Sequence, residues 1–211
     1  MSGPRLHVDV YFDLVCPWCL IGKQHLRRAL AQLDDSHPDV RVQVLWHSVQ
    51  LVQDVPDQGW PFIEFYERRL GGRQQAQARQ AQVVAAAAHA GAAIDFSRIV
   101  TFPNTAKAHR LVALGQRKLD SASQDRLLDR LFAAYFQRGE DLGDARTLAA
   151  IAAELGLEPA ATAEALASGT AVCEPIAAPG VPYFVFNRRF ALSGAQAPDV
   201  LHACMREAIG H

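Results

Sequence analysis

No stretch of this sequence holds the roughly 18 consecutive apolar residues that a membrane-spanning helix needs. The alanine-rich run from Val83 to Ala93 is too short and contains His89, so it reads as a small-residue helix. No secretory leader is expected either, because the apolar stretch after Arg5 is broken by His7, Asp9 and Asp13. The expected location is therefore the cytoplasm, with no membrane partner. Excess positive charge is also absent. Lys and Arg number 21 against 22 Asp and Glu, giving a formal net charge of −1 and a pI near 6.7. That leaves no basic surplus to neutralise a phosphate backbone, so nucleic acid is not an expected partner. Cysteine is scarce, with 4 in 211 residues, too few for a disulfide scaffold. In a reducing compartment, a close cysteine pair points to catalysis or metal binding instead.

What is present fits an ordinary globular chain, 50% hydrophobic and 20% charged, large enough for one large domain or two small ones. Leu6 to Phe12 alternates apolar and polar residues and is rich in β-branched and aromatic types, which predicts a strand. Past Cys16-Pro17-Trp18-Cys19, the residues Leu20, Ile21, Leu26, Ala29, Leu30 and Leu33 recur at helical spacing. Pro17 suits the first turn of such a helix, where its missing N–H costs nothing. The helix should stop near Asp34 to Pro38, and Val40 to Trp46 alternates as a second strand. This β-α-β order implies a parallel pair with a right-handed crossover.

From about Gln50 to Ala177 strand signals vanish. Apolar stripes at Leu111, Val112 and Leu114, at Leu127, Leu128, Leu131, Phe132, Tyr135 and Phe136, and at Leu148, Ile151, Ala152 and Leu155 predict five or six helices. Tyr183 to Phe186, a turn at Asn187-Arg188, and Phe190 to Leu192 form a predicted hairpin. Ala197 to Ile209 closes the chain as a helix, with Val200, Leu201, Cys204, Met205 and Ile209 expected on its inner side. Residues 1–50 and 178–211 thus form one discontinuous α/β domain, and residues 51–177 a helical insertion.

A C-x-x-C pair opening a helix has three readings. Structural zinc needs two further ligands, whereas Cys173 and Cys204 stand alone and no histidine pair sits at ligand spacing. No metal is therefore expected. A buried pair without chemistry fits poorly with a strand-to-helix junction. Redox chemistry fits best. The first turn of a helix has unpaired N–H groups and a partial positive charge, which stabilises a thiolate at Cys16 relative to the thiol. Cys19, one turn further in, is the expected resolving thiol that releases a mixed disulfide. Pro17 stiffens the small ring. Trp18 brings no charge, so a milder oxidant is expected than relatives with histidine there. No cofactor is expected beyond the redox-active pair, with glutathione possible as reductant and thiol or disulfide compounds, protein or small, as substrates.

In Gly180-Val181-Pro182, just before the hairpin, Pro182 is placed for a cis bond that would turn Val181 toward Cys16. Phe12, Asn104, His109 and Tyr183, with Trp18, Trp60 and Phe62, are candidates for a substrate groove. Most such aromatics are core, and Asn104 or Thr105 also suits a helix cap. Cys173 and Cys204 read as small buried hydrophobes, and Arg126 and Arg130 as solvated.

Taken together, Cys-Pro-Trp-Cys after a strand, a helical insertion, then Gly-Val-Pro-Tyr-Phe-Val and Ser-Gly-Ala-Gln resemble the DsbA-like thioredoxin-fold proteins. The chain is most similar to the FrnE branch of dithiol-disulfide isomerases. Pro103-Asn104-Thr105, Ala108-His109-Arg110-Leu111 and Leu131-Phe132-x-Ala134-Tyr135-Phe136 carry the same resemblance. It implies an α/β thioredoxin fold with a large helical insertion, Cys16 as nucleophile, Cys19 as resolving cysteine and Pro182 as the cis-proline. The sequence departs from that pattern at Trp46-His47-Ser48 and in a short Gly169 to Pro179 segment. The similarity extends to 2-hydroxychromene-2-carboxylate isomerases and kappa-class glutathione transferases. Those carry serine where Cys16 stands, which argues against a glutathione-dependent isomerase or transferase. A non-catalytic holdase using an apolar groove is the remaining alternative.

Overall fold

The computed structural model describes residues 4–170, 173 and 180–210, so most of the short Gly169 to Pro179 segment lies outside the described residues. Two compact units make up the chain. The first comprises Met1–Val49, His89–Ala92 and Glu174–His211. Its sheet has the order β2 (Arg41–Ser48), β1 (Arg5–Phe12), β5 (Tyr183–Phe186), β6 (Phe190–Ser193). Strand β1 (Arg5–Phe12) buries Leu6, Val8, Val10 and Phe12 on one face, as the period of two requires. Strand β2 (Arg41–Ser48) runs parallel to it in the register Leu6↔Val42 to Phe12↔Ser48. Between them lies helix α1 (Pro17–Ser36), with Pro17 in its first turn.

Strand β5 (Tyr183–Phe186) runs antiparallel to β1. The hairpin to β6 (Phe190–Ser193) turns through Asn187 and Arg188, both with positive φ (48° and 57°), and the Arg189 N–H closes it on the Phe186 carbonyl at 3.0 Å. Helix α8 (Pro198–Ile209) packs on α1 and on β1, β5 and β6. Its inner stripe is Leu201, Met205 and Ala208. Val200 is exposed and Cys204 and Ile209 are only half-buried, because the i, i+4, i+7 line through Leu201 is the one facing the sheet. Each large side chain in this core, such as Phe184 or Phe186, contributes about 1.5–3 kcal/mol on burial.

The second unit comprises Gln50–Ala88 and Ala93–Cys173. It holds α2 (Phe62–Leu70), most of α3 (Arg73–Ala90), α4 (Ala106–Lys118), α5 (Ser121–Arg138), α6 (Ala145–Glu154) and α7 (Pro159–Ala167). The predicted stripes of α4 and α5 are buried as expected. Leu155 is not part of the α6 stripe, because it caps the helix end and Leu157 is buried instead. The alanine-rich run lies in α3 only as far as Ala90, with Gly91 to Ala93 beyond the helix, and α3 buries Ala76, Val83, Ala87 and Ala90 along one side.

A short strand pair lies in this stretch, where helices alone are expected. β3 (Trp60–Pro61) pairs antiparallel with β4 (Thr101–Phe102). Two residues are too few for alternation to be read. Ring stacking secures the pair: Phe65 lies 3.9 Å from Phe102 and 5.6 Å from Trp60.

Candidate functional site

The end of β1 leads through Asp13-Leu14-Val15 into Cys16, which caps α1 with extended backbone (φ −88°, ψ 110°). The Cys16 N–H donates to the Asp13 carbonyl at 3.2 Å, and the Cys16 carbonyl accepts from Cys19 N–H at 3.0 Å. That first helical turn sets the two cysteines 3.4 Å apart. Both sulfurs are thiols here. Cys16 is 7% exposed and Cys19 1%, so the first is the one nearer solvent. Burial pushes the Cys19 thiol well above its usual range, and its hydrogen bond to the Cys16 sulfur adds to that. The Asp13 charge pushes the same way, opposed by a bond with the Asp13 backbone.

The Val181–Pro182 peptide bond is cis. Across 165 positions of sequence, the Cys16 thiol donates to the Val181 carbonyl at 3.6 Å. The Ser-Gly-Ala-Gln turn anchors this segment. Gly194 N–H donates to the Pro182 carbonyl at 2.8 Å, the Gln196 side chain reaches the Ser193 carbonyl at 2.6 Å, and the Gln196 carbonyl meets His25 Nδ1 of α1 at 2.8 Å. Cys16, Pro17, Trp18, Cys19, Val181 and Pro182 therefore all belong to one unit. Trp18 is half-buried.

The groove candidates fare differently. Phe12 is core, fully buried and edge-on to Trp46 at 5.3 Å, because it lies on the inward face of β1. Tyr183 is half-buried on the opposite face, 6.1 Å from Tyr11. Tyr11 in turn stacks on His47 at 4.6 Å, and His47 Nε2 meets Asp9 Oδ1 at 2.8 Å. Asn104 and His109 lie in the helical unit. Asn104 is committed to the fold there. Its Oδ1 accepts from Ala106 N–H at 3.0 Å and from Gln50 at 2.9 Å, and its Nδ2 donates to the Val55 carbonyl at 2.6 Å. His109 is 0% exposed and offers no surface to a substrate. Phe62 is buried and Trp60 stacks on Phe65. Cys173 and Cys204 are half-buried rather than buried, and partial burial with Glu207 nearby raises the Cys204 thiol.

Sequence reasoning missed two buried charges in the first unit. Asp13 is 0% exposed and Lys23 2%. Lys23 follows Cys19 by four positions, on the same helix face. Buried charges are costly unless they interact, and each takes part in a polar or electrostatic interaction. The signal available was spacing alone: Asp13 three residues before Cys16 and Lys23 one turn after Cys19. Among the described residues, no three His, Cys, Asp or Glu side chains gather as a metal site, and no helix is long and apolar enough to cross a membrane.

The family model described as the DSBA-like thioredoxin domain matches residues 7–206. A probable DsbA oxidoreductase from Streptomyces coelicolor superposes with a TM-score of 0.85 at 26% identity, over 98% of this chain and 91% of that one. Protein YwbO of Bacillus subtilis is 26% identical over 165 residues, 78% of this chain and 74% of its own length. The cytosolic disulfide reductase DsbM of Pseudomonas aeruginosa, solved with GSH, shares the fold at a TM-score of 0.62 and 17% identity, over 97% of this chain and 100% of that one.

Proposed function

The chain belongs to the DSBA-like thioredoxin domain family, and from that premise we propose that it performs thiol–disulfide exchange, including disulfide isomerisation, through Cys16 and Cys19. The observation that carries this reading is the approach of the two cysteines to 3.4 Å at the start of α1, with Cys16 against the Val181 carbonyl.

In the reducing direction, the Cys16 thiolate attacks one sulfur of a substrate disulfide. The substrate S–S bond breaks, the Cys16–substrate S–S bond forms, and the leaving sulfur takes up a proton. Cys19 then gives up its proton and attacks the Cys16 sulfur. The second substrate thiol leaves, and the protein holds the Cys16–Cys19 disulfide. Two electrons have passed from the pair to the substrate. The oxidising direction is the reverse, and isomerisation stops at the mixed disulfide and lets another substrate thiol displace Cys16. The burial that raises the Cys19 thiol suits a group that stays protonated until the mixed disulfide exists. Glutathione is the reductant we propose for returning the pair to dithiol.

Insulin reduction tests the reading. Cys16→Ser is expected to abolish activity, and Cys19→Ser to accumulate a mixed disulfide visible by mass. Full activity in Cys16→Ser would overturn it.

A further inference from the structure

Gly22 lies inside α1, six positions past Cys16, and is buried. A glycine within a helix costs about 1 kcal/mol relative to alanine, and nothing in the helix itself asks for one. Its neighbours do. A Cβ at Gly22 would stand 2.9 Å from Pro182 Cγ, 3.4 Å from Pro182 Cβ and 3.2 Å from Phe184 Cζ. The proline ring is stiff and Phe184 is fully buried in the sheet, so neither gives way easily. The far side of the segment is tied too, since the Pro182 carbonyl accepts from Gly194 N–H at 2.8 Å. Pro182 is thus held between the bare backbone of Gly22 and the turn at Gly194, and Val181, next to it, meets the Cys16 sulfur at 3.6 Å.

We infer that Gly22 is a positioning residue for the exchange reaction: by presenting no side chain, it lets the Val181–Pro182 segment settle on α1 at the depth that sets Val181 against Cys16. The inference rests on the exchange reading above. A side chain at position 22 pushes that segment outward and displaces the Val181 peptide groups along which a substrate chain would lie, while Cys16 stays at its helix start.

The test compares Gly22→Ala with the wild-type protein on two substrates. Insulin presents a chain to Val181, and 2-hydroxyethyl disulfide has none. Gly22→Ala is expected to lower kcat/KM for insulin about tenfold, mostly through KM. The rate with the small disulfide is expected to stay within about twofold. Gly169→Ala is the control. Its Cβ would meet nothing within 4 Å, and neither substrate should notice it. Equal losses on both substrates, or none, would overturn the inference. Should Gly22→Ala fail to fold, Gly22→Ala with Phe184→Leu removes the 3.2 Å contact and keeps the 2.9 Å one, and the same comparison decides. A wild-type protein inactive on both substrates would defeat the exchange reading itself, a separate result.

Discussion

Cys16 and Cys19 are one helical turn apart, and Cys19 is the more deeply buried of the two. Because burial raises the Cys19 thiol, the folded protein holds that proton more tightly than the unfolded chain does. The resulting stability is complete below the unfolded thiol value of about 8.5 and is lost as pH rises through the folded one. Denaturant melts of the reduced protein at pH 7 and pH 10 should therefore show a larger alkaline loss for wild type than for Cys19→Ala. Equal losses would show that the buried thiol plays no part. At this scale the sequence was legible for the closeness of Cys16 and Cys19, because a C-x-x-C pair at a helix start sets its two cysteines one turn apart. It was not legible for Phe12 and His109, since an aromatic or histidine side chain looks the same in a groove and in a core.

Helices were largely readable from their apolar period. Asp144 precedes α6 and its carboxylate accepts from Arg146 N–H at 3.3 Å, Thr147 N–H at 3.0 Å and the Thr147 hydroxyl at 2.9 Å. The Thr147 N–H bond, foremost, holds this carboxyl below its ordinary range. Asp144→Ala should cost about 1 kcal/mol, which lowers Tm by about 2–4 °C in a chain of this size. Asp144→Asn should retain most of it. The contribution is present above the usual carboxylate range and is lost as pH falls through the depressed value, so the wild-type and alanine melting curves should converge in acid. Convergence at neutral pH instead would mean the cap is idle. The β3–β4 pair escaped sequence reading because stacking around Phe65 secures it, and no local alternation records that.

Across the whole molecule, charge is nearly balanced, with a formal net charge of −1 and a pI near 6.7. Two consequences can be measured. Solubility should pass through its minimum close to that pH, since self-repulsion is least there. The protein should also flow through a heparin column at about 0.15 M salt, where only a basic patch would retain it. Retention would reveal a polyanion-binding face that the composition does not suggest.

The sequence by itself determined the order of elements, the parallel β-α-β opening, the terminal hairpin and helix, and the identity of the cysteine pair. These follow from periods of two and 3.6 and from local turn chemistry, which act over a few residues. The Gly180-Val181-Pro182 motif already points Val181 toward Cys16, 165 positions away, and the two meet at 3.6 Å. Only the tertiary structure decided that Gly22 packs against Pro182 and Phe184 and that Asp13 and Lys23 are buried. Local patterning carries no record of such contacts, because they come from elements folded together rather than from neighbours along the chain.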